Sequence, residues 1–237
     1  MTDTPTRRRR KEARPQELLE AALALFVEKG FAATRAEEVA TRAGVSKGTL
    51  YLYFPSKEDL LKAVIAHFLS ARIAGVAQEV TRHQGPTEDL ARGLLVQWWR
   101  EVVTSPASGV FKLIISEVRN FPELARYYNE EVIDVGHALL AQLIQRGIDR
   151  GEFRPVPVDS TVHSLVLPFV MCCLHQHSLG ACAGHHELDV ERFVSEHVDL
   201  VLAGLRPTAP PAARRPKAPT PSPAQGRRVA RTPARDA

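Results

Sequence analysis

No apolar run in the 237-residue chain approaches the eighteen or so residues that a bilayer-spanning helix needs, so no membrane partner is expected. Cysteine is scarce. The three present (Cys172, Cys173 and Cys182) are odd in number and clustered, which excludes a disulfide framework and fits a reducing compartment. Residues 1–14 are charged and polar with no apolar segment behind them, so no secretory signal is expected and a cytoplasmic location is. Period-two alternation of apolar and polar residues is missing throughout, which leaves no candidate strand. A glycine-rich phosphate loop, a nucleophile elbow and an H-E-x-x-H pair are also missing; the sequence predicts no enzyme and calls for no cofactor.

What is present is charge unevenly spread. The formal net charge is +4, but residues 1–14 alone hold six Lys/Arg against two acids, and residues 206–237 hold eight against one. The body between them is therefore acidic, at −7. Basic termini suit a polyanion; an acidic body does not suit a protein that coats nucleic acid over its whole surface. The Arg7–Lys11 run, with no apolar content, reads as a disordered arm, either merely solvated or holding phosphates. From Arg206 the chain takes eight of its seventeen prolines and almost no apolar bulk, so residues 206–237 read as a disordered Pro/Ala/Arg-rich tail.

Between these termini everything reads as helix. Leu18, Ala22, Leu25 and Phe26 recur at helical spacing behind Pro15, and Gly30 supplies the stop. Thr34-Arg35-Ala36-Glu37 has the form of a capping box starting a second helix, which Gly44 breaks. Ser46 then caps a third helix of about two turns. Short helices need tertiary support, and this one reads as a rod that turns Lys47, Thr49, Tyr51 and Tyr53 outward while Leu50 and Phe54 fasten it. Two helices joined by a short glycine-containing turn, the second polar-faced, are helix-turn-helix arithmetic. Ser56 caps a long helix from Lys57 to about Thr81, whose apolar doublets suit a lever from one end of the molecule into the other. Stripes at Leu90–Val102 and Val110–Phe121 follow, then a helix from Pro122 to Gly151. A helix capped by Asp159 and running from Val162 to Leu179 reads as buried on all sides and kinked at Pro168, and one last helix carries Val190 to Leu205. The fold class is all-α: a three-helix N-terminal domain with a helix-turn-helix at 15–61, the linking helix, and a helical domain to 205.

From Leu18 to Leu61 the chain resembles the TetR/AcrR family of bacterial transcriptional regulators. The resemblance is carried by Ala21-Ala22, Leu25-Phe26, Gly30, Val39-Ala40, Ala43-Gly44-Val45-Ser46, Gly48-Thr49-Leu50-Tyr51, Tyr53-Phe54, Ser56-Lys57-Glu58 and Leu60-Leu61. It covers about a fifth of the chain, with many positions agreeing in one register. It implies a homodimeric repressor that binds a palindromic double-stranded operator and is released by a small molecule, with residues 62–205 as the ligand-binding and dimerisation domain. Pairing is expected through the last two helices, about 160–205. Roles then follow from chemistry. Thr34 and Ser46 aim hydroxyls at phosphates, Gly48 allows close approach, and Lys47 and Thr49 reach base edges. Tyr51, Tyr53 and Lys57 hold the backbone, with Arg35 a further contact.

For the ligand, an apolar or amphipathic molecule, the aromatic and aliphatic residues Trp98, Trp99, Phe111, Ile115, Val118, Phe121 and Phe169 are candidate pocket walls, with Glu117 or His137 to orient it. Two rival readings stand beside this one. The cysteines with His175, His177, His185 and His186 suggest a metal- or redox-responsive repressor, although the spacing is not that of paired zinc ligands. The basic tails suggest a ligand-independent architectural DNA binder.

Overall fold

A computed structural model of the chain describes residues 5–178, 180 and 188–207, with side chains from Arg14 onward. Cys182, His185, His186 and the tail from residue 208 lie outside the described residues. Among the described residues every regular element is helical, as the sequence predicts.

The first helix, α1, spans Pro5–Lys29. It begins ten residues before the expected start at Pro15, so the basic run continues the helix where an unstructured arm was expected. Arg, Lys, Ala and Glu are good helix formers, and Pro5 sits at the first position, where its missing N–H costs nothing. Gly30, at φ +85°, ends the helix in the left-handed region that a side chain would strain. Helix α2 (Ala36–Arg42) is capped one residue later than the sequence suggests. The Glu38 carboxylate, not Glu37, accepts the Arg35 N–H at 3.0 Å. Thr34 is turned inward, and its hydroxyl donates to the Gly30 carbonyl at 2.8 Å. Helix α3 (Lys47–Tyr53) is capped as expected: Ser46 Oγ accepts the Thr49 N–H at 3.1 Å.

Ser56 caps α4 (Lys57–Ile65) in the same way, accepting from the Asp59 N–H. This helix continues through a π-helical turn at Ala66–Ser70 into α5 (Ala71–Arg82). The 26-residue rod measures about 39 Å at an α-helical rise. Helices α6 (Thr87–Val103) and α7 (Ser108–Glu117) follow. Then α8 (Pro122–Tyr128) passes through a second π-helical turn, Asn129–Ile133, into α9 (Asp134–Asp149). The two π turns touch each other. Helix α10 (Val158–His177) begins four residues before the expected start: Pro157 precedes it, and Asp159 lies in its first turn, where a carboxylate complements the helix dipole. Asp189 caps α11 (Val190–Leu205), accepting the Arg192 N–H.

One core runs through α1, α4 and the remaining helices. Helix α10 packs on α7 and α9, and α11 on α6. By length and composition the 57–82 rod and α10 are apolar enough to cross a membrane, contrary to the expectation that no stretch is. Both put their apolar faces into the core, through Leu61, Val64, Ile65 and Leu69 in the rod and Leu165, Phe169 and Cys173 in α10. However, α10 is not buried all round: Leu167 and Met171 are more than half exposed.

A Cβ at Gly147 would overlap the ring of the buried Phe153, whose N–H also bonds the Gly147 carbonyl at 3.0 Å. Gly147→Ala is therefore expected to destabilise the fold by about 1–3 kcal/mol through overpacking, read as a lowered midpoint in thermal or urea unfolding.

Candidate nucleic-acid interface and ligand cavity

The third helix is fastened by Leu50, fully buried, with Tyr53 and Phe54 packed partly against the same core. The period of 3.6 then fixes what faces outward. Lys47 and Gly48 are exposed, Tyr51 is 40% exposed and Leu52 is 80% exposed. Of the two tyrosines, Tyr51 is therefore the outward one, and Tyr53 lies against the Phe54 ring at 6.5 Å between centroids. Lys47 pairs with Glu37 from α2 and lies 5.7 Å from the Tyr51 ring centroid. The hydrogen bond between them raises the lysine above its ordinary pKa and lowers Glu37 below its own. Arg35 is exposed, and the Ser46 hydroxyl is shared with Thr49 Oγ1 at 2.9 Å. Leu52 was not singled out from the sequence, although its place between two tyrosines on a two-turn helix is the signal that would have found it.

Besides Tyr53, two further expected phosphate contacts are placed elsewhere. Thr34 is buried, its hydroxyl bonded to backbone carbonyls. Lys57 turns back into the molecule, where its ammonium donates to the carbonyls of Phe31 (2.8 Å), Ala32 (3.2 Å) and Thr34 (3.2 Å). It also sits 4.5 Å from the Phe31 ring centroid. The turn after α1 thus presents three carbonyls that engage the three ammonium donors, the Phe31 carbonyl also accepting the Thr34 N–H at 3.3 Å.

The other half of the molecule encloses a cavity of about 400 Å³. The rod supplies Leu69, Ile73, Val76 and Val80; α6 supplies Leu94, Leu95, Trp98 and Trp99; α7 supplies Phe111, Ile114 and Ile115. The second π turn and α9 close it with Val132, Ile133, Gly136 and His137, and α10 with His163, Val166 and Leu167. Of the expected walls, Trp98, Trp99, Phe111, Ile115 and His137 meet here. Four others do not. Phe169 backs the wall instead, stacking on Trp99 at 3.8 Å and 11°. Val118 is half-buried against the core. Phe121 and Glu117 face the N-terminal helices: the Phe121 ring meets Phe31 edge-on at 4.8 Å, and the Glu117 carboxylate accepts the Phe31 N–H at 3.1 Å. The rod residues were missed because their doublets read equally well as plain core.

Cys172 and Cys173 are buried, and desolvation raises both thiols, Cys173 to about 12. His177 is tied to Ser108 at 2.7 Å. Thiols held protonated are poor metal ligands and poor nucleophiles. Among the described residues no cluster of three metal-ligating side chains forms.

Residues 18–64 match the family of bacterial regulatory proteins, tetR family, and residues 83–181 match the tetracyclin repressor-like C-terminal domain. The HTH-type transcriptional regulator YfiR of Bacillus subtilis is 32% identical over 66% of this chain and 76% of its own. The HTH-type transcriptional repressor KstR2 of Mycobacterium tuberculosis is 30% identical over 81% of this chain and 93% of its own. The solved structure of KstR2, described as a ketosteroid transcriptional regulator, has a TM-score of 0.63 at 21% identity, covering 82% of this chain and 96% of that one. FadR of Bacillus subtilis, solved with stearoyl-CoA, shares the fold with a TM-score of 0.62 at 16% identity, covering 81% and 99%. A helix-turn-helix with an outward-facing second helix, joined by one rod to a helical body with an apolar cavity, thus stands among known regulators: the chain belongs to the TetR family of transcriptional regulators.

Proposed function

We propose that the chain is a homodimeric repressor that binds a palindromic operator and releases it when an apolar or amphipathic molecule fills the cavity. The observation that carries this reading is the rod of residues 57–82. Its first turns pack on α1 of the N-terminal domain, and its later residues Leu69, Ile73, Val76 and Val80 form a wall of the cavity. Residues 15–61 then act as the reading head and 62–205 as the sensing and pairing body.

In this reading α3 enters the major groove. Lys47 and Thr49 meet base edges, with Leu52 adding an apolar surface for thymine methyl groups. Tyr51 and Arg35 hold phosphates, Gly48 permits close approach, and Ser46 presents the helix N-terminus. Lys47 must leave Glu37 to reach DNA, so non-specific contacts are penalised and a correctly spaced operator is favoured. A second copy covers the exposed face formed by Leu167 and Met171 of α10 and Leu200 of α11. An apolar ligand gains by displacing water from an apolar wall, and a change in that wall displaces the rod. Two heads moved away from the roughly 34–36 Å half-site spacing no longer fit both half-sites together.

Two outcomes test the reading. Lys47→Gln or Tyr51→Ala should weaken operator binding at least tenfold, whereas Lys57→Met should leave the salt dependence of binding unchanged and instead lower the unfolding midpoint. Fluorescence anisotropy across a salt series, with thermal melts alongside, separates these. Glu117→Met should preserve operator binding but blunt ligand-induced release, because the Phe31 N–H loses its acceptor on α7. Comparing operator affinity with and without ligand in this variant provides the check; release as complete as in the wild type contradicts transmission through Phe31.

A further inference from the structure

The cavity wall carries three ionisable residues: Tyr128, His137 and His163. Tyr128 is buried. The two histidines stand at the edge, where Ile133 is 43% exposed, the His137 side chain 34% exposed and His163 exposed. Their ring centroids are 5.7 Å apart, so the opening between α9 and α10 is the imidazole-bearing end of the chamber.

Hydrogen bonding fixes what that end offers. His163 Nδ1 lies 2.7 Å from the Asp159 carbonyl oxygen. A carbonyl only accepts, so Nδ1 carries the proton, and in the neutral ring Nε2 is left with a lone pair. The Asp159 carboxylate stands 3.5 Å from His137 Nε2 and adds a negative charge at this end. His163 Nε2 therefore offers an acceptor at this end, and the Asp159 carboxylate a second. An ester presents only acceptors to them, and a carboxylate adds repulsion from Asp159.

From this geometry we infer that the cavity takes an amphipathic molecule with a hydrogen-bond-donating headgroup, an alcohol hydroxyl or a protonated amine, seated on His163 Nε2. Its hydrocarbon body lies along Ile73, Leu95 and Trp98. The inference rests on the cavity being the ligand site. His163 is then the residue that sets specificity, and acyl thioesters and free fatty acids are discriminated against.

The chain's two tryptophans both line the cavity, so tryptophan emission, excited apart from that of the four tyrosines, reads this site. Titrating the full chain with 1-decanol, decylamine, decanoate and methyl decanoate at about pH 8 provides the test. The alcohol or the amine should bind about tenfold more tightly than the ester and the carboxylate, the contribution of one hydrogen bond that would otherwise go unmade. Asp159→Asn should weaken the amine alone, which tells the two donors apart. His163→Phe should still bind methyl decanoate but lose the preference, and His163→Gln, which keeps an acceptor, should retain part of it. Decanoate or methyl decanoate binding as tightly as both donors, or a full preference surviving in both His163 variants, would overturn the headgroup assignment. Silence with all four probes would overturn the cavity as the ligand site, and the headgroup with it.

Discussion

Phe31 is the residue on which the two halves of the molecule meet. Its side chain is fully buried, edge-on to Phe26 at 5.2 Å on one side and to Phe121 at 4.8 Å on the other. Its N–H goes to the Glu117 carboxylate, and its carbonyl takes the Lys57 ammonium. Gly30 makes this possible, because a left-handed residue there turns the chain out of α1 and lays Phe31 across the ends of α4 and α7. A buried carboxylate and a buried N–H are each costly when unpaired, so this crossing holds one geometry and resists partial loosening. Lys112, which donates to the Val27 carbonyl at 3.4 Å, adds a second tie between α7 and α1.

The proposed path of transmission runs past this point. The rod of residues 57–82 begins against α1, directly after α3 in the chain, and ends in the cavity wall, and its π turn sits against that of the 122–149 helix. A π turn holds one residue more than an α-turn and packs less regularly, and such turns often mark functional sites. Here both lie where wall residues Leu69, Val132 and Ile133 are found. Lys62, 5.9 Å from the Tyr127 ring centroid, spans the same two helices nearer the head. In the proposed mechanism, apolar pressure from inside the cavity bears on the least regular stretch of each long helix, while the Phe31 crossing keeps the reading head rigid. The head can then move as a unit.

How much of this was legible follows from particular residues. Ser46, Leu50 and Ser56 announce their roles locally, because capping and burial on a short helix depend on neighbours only a few positions away. Thr34 and Lys57 were misplaced for the opposite reason. Thr34-x-x-Glu37 is the better capping pattern, because Arg35 has no side-chain acceptor, and only the path of the turn after Gly30 puts Arg35 at the helix start instead. Lys57 is drawn inward by three carbonyls distant in sequence, which no periodicity reveals. Glu117 and Phe121 continue the stripe of Phe111 and Ile114, yet the end of α7 carries them to Phe31 instead of the cavity. The π turns leave no mark in the pattern of apolar doublets.

The central claim is that filling the cavity is enough to displace the head, whatever molecule fills it. Gly136 lines the cavity on α9, and a Cβ placed there would lie 3.8 Å from Ile73 Cδ1 on the rod, an ordinary contact with room beyond it. Gly136→Leu therefore fills the chamber from within while improving helix propensity. Operator affinity of this variant in the absence of any ligand is the most direct measurement. Coupling through the rod predicts a fall of at least tenfold with an unfolding midpoint equal to or above that of the wild type. Wild-type operator affinity, in a variant whose tryptophan emission shows the cavity filled, would contradict it.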